Sequence, residues 1–150
     1  MRALLQRVSS ASVSVDGREI SRIGPGLLIL LGIRKGDDPA SGSRLAGRTA
    51  QLRIFPDAAG KMGTSLVDAG GAALVVSQMT LYGDVTRGRR PSFETVAPGP
   101  ESRPLYESYV AALRGLGITV ETGEFGATMA VSLVNDGPVT FLLEEPAPAP

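Results

Sequence analysis

LLILLGI, residues 27–33, holds seven consecutive positions without a polar side chain, between the turn residues Gly24-Pro25-Gly26 and Lys35-Gly36-Asp37. It is too short to cross a bilayer. A continuous apolar run bounded by turn signals reads as a strand buried on both faces. Such a strand needs neighbours on both edges and a layer on each side, and the flanking sequence offers them. Upstream, residues 2–15 (RALLQRVSSASVSV) pass into an apolar/polar alternation that suits a half-buried strand. Asp16-Gly17 then marks a hairpin turn into a second strand at 18–23. Downstream, Asp37-Asp38-Pro39 has a capping carboxylate and a proline in the first turn, which predicts a helix over about 39–51. That helix places Leu45, Ala46, Thr49 and Leu52 along one side.

Further along, LRIF (52–55) reads as a short strand with PDAAGK (56–61) as its turn. SLVD (65–68), Gly70-Gly71 and AALVVSQMTLY (72–82) read as a hairpin whose second strand is central. Residues 83–103 are rich in Gly, Pro, Arg and Ser without periodicity and form a loop. A helix follows over about 102–115, with Leu105, Tyr109, Ala112 and Leu113 at helical spacing. Strands at 118–122 and 127–143 flank the turn TGEFG (122–126). The expected fold is mixed α/β, with mostly antiparallel sheet and two main helices, in one domain over residues 1–145. The Pro/Ala tail, 146–150, is expected to be disordered.

Composition excludes more than it identifies. The 150 residues contain no Cys and no His. Thiolate nucleophiles, zinc–thiolate sites, Ser-His-Asp triads and histidine general bases are therefore ruled out. Basic and acidic side chains number fifteen each, so the net charge is zero. That is not the footprint of a protein gripping long nucleic acid by charge alone. The N-terminal segment has no apolar core of the signal-peptide kind, which makes a cytoplasmic protein the expectation. The acids Glu19, Asp37, Asp38, Glu121 and Glu124 fall into no metal-ligand spacing, and neither metal nor cofactor is assigned.

Three places invite a functional reading. In VVSQMTLYGD (75–84) an apolar strand ends in Ser77, Gln78, Met79 and Thr80, where N–H groups and hydroxyls are able to face a ligand; solvent-facing polar residues are the plainer reading. TRGRRPSF (86–93) concentrates Arg87, Arg89 and Arg90, whose forks suit phosphate oxygens, although a solvated loop has the same composition. VNDGPVTFLLE (134–144) is strand-like but interrupted by Gly137-Pro138. A glycine weakens a strand and a proline deletes a ladder donor, so a bulge, an edge strand or a cis peptide is implied. Arg7, inside the first strand, reads by itself as a surface residue.

Taken in order, MRALLQRV, LRIF with GKM at 60–62, VVSQMTLYGD, RGRRPSF, LYESYV, TGEFGATM and VNDGPVT resemble the D-aminoacyl-tRNA deacylase family, also called D-tyrosyl-tRNA deacylases, over residues 1 to about 144. The resemblance implies the fold of that family and a homodimeric hydrolase. Its substrate is the ester between a D-amino acid and the 3′-terminal adenosine of tRNA. It implies that Ser77, Gln78, Met79 and Thr80 line the catalytic pocket. It also implies that Gly137 and Pro138, joined by a cis bond, enter the partner's pocket and reject L-amino acids, with Arg7 in support. Met79 departs from the family pattern, which has Phe there, and Gly63 departs from a GKMN-type run.

For the chemistry, backbone N–H groups at Met79 and Thr80 are the expected oxyanion donors, with the ribose 2′-hydroxyl orienting water. A Thr80 nucleophile is the rival. The competing class is an RNA-end or adenosine-binding module without turnover.

Overall fold

A computed structural model describes residues 1–146; beyond Pro146, the tail expected to be disordered lies outside the described residues. The apolar run becomes β3 (Gly26–Gly32). It has a strand on each edge, antiparallel to β1 (Arg2–Val15) and parallel to β6 (Ala72–Ser77). The hairpin at Asp16-Gly17 forms as expected: Asp16 and Gly17 both take positive φ, and β2 (Arg18–Ile23) returns antiparallel to β1. The opposite edge of β1 carries β8 (Ala130–Glu144), paired antiparallel from Arg2 to Ser14. β7 (Val120–Thr122) adds in parallel outside β6.

Two sequence expectations fail here. The segment 65–68 is not a strand. Ser65 Oγ accepts from the Asp68 N–H at 3.1 Å, and Gly70 at φ 67° closes a short helix, α2 (Leu66–Ala69). The strands at 120–122 and 130–144 do not pair with each other; they lie against β6 and β1. In the first place a parallel crossover from β3 to β6 replaces the hairpin; in the second, β7 joins β6 in parallel while β8 passes to β1 and pairs antiparallel. Parallel neighbours require a long crossover, and the helices provide one each: α1 (Pro39–Gln51) between β3 and β6, α3 (Gly99–Gly115) between β6 and β7. The LRIF strand is shorter than expected, reduced to β4 (Phe55–Pro56), which pairs with β5 (Met62–Thr64) as a separate ribbon.

α1 forms over the expected residues. Asp38 Oδ1 accepts from the Ser41 N–H at 2.7 Å, a bond that holds its carboxyl below the usual range, and Pro39 occupies the first turn. Its buried face, with Leu45, Ala46, Thr49 and Ala50, packs on α3, where Thr49 Oγ1 lies 2.9 Å from the Tyr109 hydroxyl. β3 and β6 are buried on both faces. Ile29, Leu31, Ala73 and Val75 meet the helices, while Leu28, Leu74 and Val76 pack with Val8, Val13 and Ile23 on the other side. The β3–β6 approach depends on Gly26, where an added Cβ would stand 1.8 Å from the Ala72 carbonyl oxygen.

Candidate active site

β3, β6 and β7 run parallel, so their carboxyl ends meet on one side, where open α/β sheets place ligands. A cavity of about 490 Å³ opens there. Its walls are Ser77 at the end of β6, Met79 just beyond it, the start of α3 (Gly99, Ser102), the segment after β7 (Phe125–Met129, in part) and Phe93. None of its lining residues is ionisable.

The strand expected to run on to Tyr82 ends at Ser77. A 3-10 helix, Met79–Tyr82, takes its place, and its first residue lines the cavity. The Gln78 N–H donates to Leu31 at 2.8 Å, completing the sheet. The next two N–H groups, those of Met79 and Thr80, donate to no backbone carbonyl among the described residues. They are the orphan donors that any helix start leaves. Met79 is half-exposed, and Gln78 Nε2 hydrogen-bonds Thr80 Oγ1. The Tyr106 hydroxyl donates to Val75 O at 2.8 Å, its phenol pushed up to about 12 by burial, and its ring lies 5.6 Å from that of Phe125 in the cavity wall.

Of the residues singled out from sequence, Ser77 and Met79 line this cavity; Gln78 and Thr80 sit beside it. Arg87, Arg89 and Arg90 are fully on the surface, in a loop whose base is closed by pairing of Asp84 with Ser92. That base is followed by Phe93, which lines the cavity, while the three arginines are not among its lining residues. The start of α3 and residues 125–129 carried no site assignment from sequence. The signal for them is topological: they follow the loop and the parallel strand that end on this side.

Gly137 and Pro138 are elsewhere. On β1, a single residue, Arg7, separates Gln6 (paired with Thr140) from Val8 (paired with Asn135); on β8 four residues, 136 to 139, fill the same interval. The surplus bulges out. Val139 turns into the core while Asp136, Gly137 and Pro138 are exposed, and the Gly137–Pro138 peptide is cis. Arg7 anchors the base of the bulge: Nε donates to Asp136 O at 3.0 Å and Nη1 to Ile54 O at 2.7 Å. Asn135 Nδ2 spans the neck, donating to Arg7 O at 2.9 Å and Val139 O at 3.0 Å. Gly137 has φ 142°, and a Cβ there would lie 2.5 Å from Val139 Cγ2. Glycine fits where other residues do not.

This tip does not reach the cavity of the same chain. Arg7 pairs with Leu27 and Leu27 with Ala73, four residues before Ser77 on a strand two removed from β1. At about 4.8 Å per strand and about 3.3 Å per residue, the path across the sheet is roughly 20 Å.

Comparison with known proteins gives the family. A family model described as D-Tyr-tRNA(Tyr) deacylase matches residues 4–144, and the chain belongs to that family. It is similar to the D-aminoacyl-tRNA deacylase of Thermomicrobium roseum, at 61% identity over 96% of this chain and 94% of the relative. The D-aminoacyl-tRNA deacylase of Dinoroseobacter shibae is 58% identical, over 96% and 99%. Among solved structures, a protein described as c-Myc DNA Unwinding Element Binding Protein superposes with TM-score 0.92 at 39% identity, over 98% of this chain and 100% of that one. A probable eukaryotic D-amino acid tRNA deacylase shares the fold, with TM-score 0.84 at 17% identity over 95% and 97%.

Proposed function

We propose that this chain hydrolyses the ester linking a D-amino acid to the 3′-terminal adenosine of tRNA, as a cytoplasmic proofreading enzyme, and works as a homodimer. The observation that carries the reading is a cavity at the carboxyl ends of parallel strands with unengaged N–H groups at Met79 and Thr80 and no ionisable lining residue. An aminoacyl ester is already a reactive acyl donor, so a general base is not essential. Water attacks the carbonyl carbon, oriented by the ribose 2′-hydroxyl. The developing oxyanion accepts from the two N–H groups, each worth about 2.7–4 kcal/mol of transition-state stabilisation. The bond to the ribose 3′-oxygen then breaks, and that oxygen takes the proton released by the attacking water. Thr80 is a weaker candidate as nucleophile, since its hydroxyl faces the Gln78 amide and not a base.

Chirality is read by exclusion. The Gly137–Pro138 tip offers backbone in place of a side chain, and its own cavity is out of reach, so the partner subunit's cavity is its destination. β8 supports this arrangement, because its outer edge carries no strand among the described residues and exposes Val134 and Leu142 at 57% and 50%. Inserted carbonyls fill the volume an L side chain needs, while a D side chain points to solvent. Arg7 is the positioning residue of the tip. Arg87, Arg89 and Arg90 contact phosphates of the tRNA end.

The test is release of labelled amino acid from D-Tyr-tRNA, L-Tyr-tRNA and Gly-tRNA by the purified protein. D-Tyr and Gly are released, with L-Tyr retained, and several D-amino acids behave alike. Preference for one D side chain contradicts exclusion. Binding of tRNA without release supports the second reading, a nucleic-acid binder without turnover, which the description of the 39%-identical solved structure favours.

A further inference from the structure

With no cysteine in the chain, peroxides meet sulfur as thioether alone, in four methionines. Their surroundings differ. Met1 is fully buried, and Met129 is half-buried against the smaller core cluster. Met62 and Met79 are each 51% exposed, Met62 on the β4–β5 ribbon and Met79 in the cavity wall. We propose that Met79 is an oxidation site through which hydrogen peroxide reversibly closes the active cavity. The inference rests on the deacylase reading of that cavity.

The reaction balances simply. The thioether sulfur attacks one peroxide oxygen, the O–O bond breaks, sulfur is oxidised to sulfoxide and the other oxygen leaves as water after proton transfer. A thiol-dependent methionine sulfoxide reductase reverses it. The consequence follows from position. Phe93, Val96, Phe125 and Met129 make the wall around Met79 largely apolar. A sulfoxide puts a polar acceptor into that wall, on the residue whose own N–H and that of Thr80 await the substrate oxyanion. The new oxygen competes for those donors and desolvates poorly beneath a bound substrate. A partner's tip over the cavity does not shield Met79, because any path that admits an aminoacylated adenosine admits peroxide. Met62, equally exposed and outside the cavity, is a built-in control.

The experiment treats the full-length protein with graded hydrogen peroxide. Peptide masses are read around Met79, Met62, Met129 and Met1, together with D-Tyr-tRNA hydrolysis. Met79→Leu and Met62→Leu are each compared with their own untreated activity. The expected result is a fall in kcat/KM of about tenfold or more that tracks Met79 sulfoxide, set by an uncompensated polar group in the wall. Activity returns with sulfoxide reductase. Met62→Leu follows the parent protein, while Met79→Leu keeps most of its own activity at doses that silence the parent. Unchanged hydrolysis with Met79 fully converted overturns the proposal, as does equal sensitivity of Met79→Leu. Absence of hydrolysis before treatment counts against the deacylase reading instead. Even then, Met79 converting no faster than the buried Met1 overturns the oxidation site itself.

Discussion

Arg7→Ala is the substitution that most directly separates tip from cavity. The guanidinium is 11% exposed, and it donates one hydrogen bond to Asp136 O at 3.0 Å and one to Ile54 O at 2.7 Å. The Asp136 carboxylate, 3.6 Å away and 58% exposed, adds little through water. Bonds to a charged donor contribute about 1.5–3 kcal/mol each. Asp136 is exposed enough for water to replace one of them, so a net loss of about 2–4 kcal/mol is expected. At about 2–4 °C per kcal/mol for a domain of this size, Tm falls by roughly 5–15 °C. Arg7→Lys, with a point charge in place of the fork, recovers part of this. The functional effect is selective. The Met79 and Thr80 N–H groups are untouched, so D-Tyr-tRNA is still cleaved while rejection of L-Tyr-tRNA weakens. Calorimetry and paired D- and L-Tyr-tRNA assays measure both effects. A Tm unchanged within about 2 °C, together with undiminished L rejection, refutes the anchoring role.

Met79→Pro removes one proposed oxyanion donor at the first helical position, where proline is tolerated; kcat should drop about a hundredfold or more, whereas Thr80→Ala stays near normal, and collapse of Thr80→Ala with a trapped acyl-threonine reverses that ranking. Burial raises all three tyrosine phenols, Tyr82 and Tyr106 to about 12 and Tyr109 further. Unfolded tyrosine ionises near 10, so the unfolded chain releases protons first and stability falls as pH rises from about 10 to 12. Absorbance at the tyrosinate band should therefore appear together with loss of folded circular dichroism, and a separate titration near pH 10 in folded protein contradicts the burial argument. Val134→Lys on the outer edge of β8 should shift the protein towards monomer in light scattering and lower deacylation with it; a stable, active dimer of the Val134→Lys protein would remove that edge from the interface.

The central strand, the first hairpin and α1 were legible because each is announced locally, by an unbroken apolar run, by Asp-Gly and by Asp-Asp-Pro. What sequence could not give was direction. Segments 65–68 and 72–77 look like a hairpin because Gly70-Gly71 is a turn signal, yet that turn belongs to the end of a four-residue helix. Whether β6 runs parallel or antiparallel to β3 is decided by α1 packing across the sheet on α3, a contact between residues sixty apart such as Thr49 and Tyr109. No local pattern carries that information.

The same distinction explains the site. Ser77 and Met79 stood out because polar residues end an apolar strand, a local event. Phe125 and the first turn of α3 did not, since they reach the cavity through parallel topology alone. Gly137-Pro138 is the opposite case: its violation of strand rules is plain in the sequence, but its meaning is not. Four residues of β8 face one of β1, an Arg and an Asn hold the neck, and the glycine occupies a backbone region with no room for a Cβ. So much local specification for a loop that lies roughly 20 Å along the sheet from Ser77 has a physical sense if a second copy receives it. The recognition element and the catalytic donors are then both main-chain atoms, carried by different subunits. On that account a chain without His or Cys needs neither.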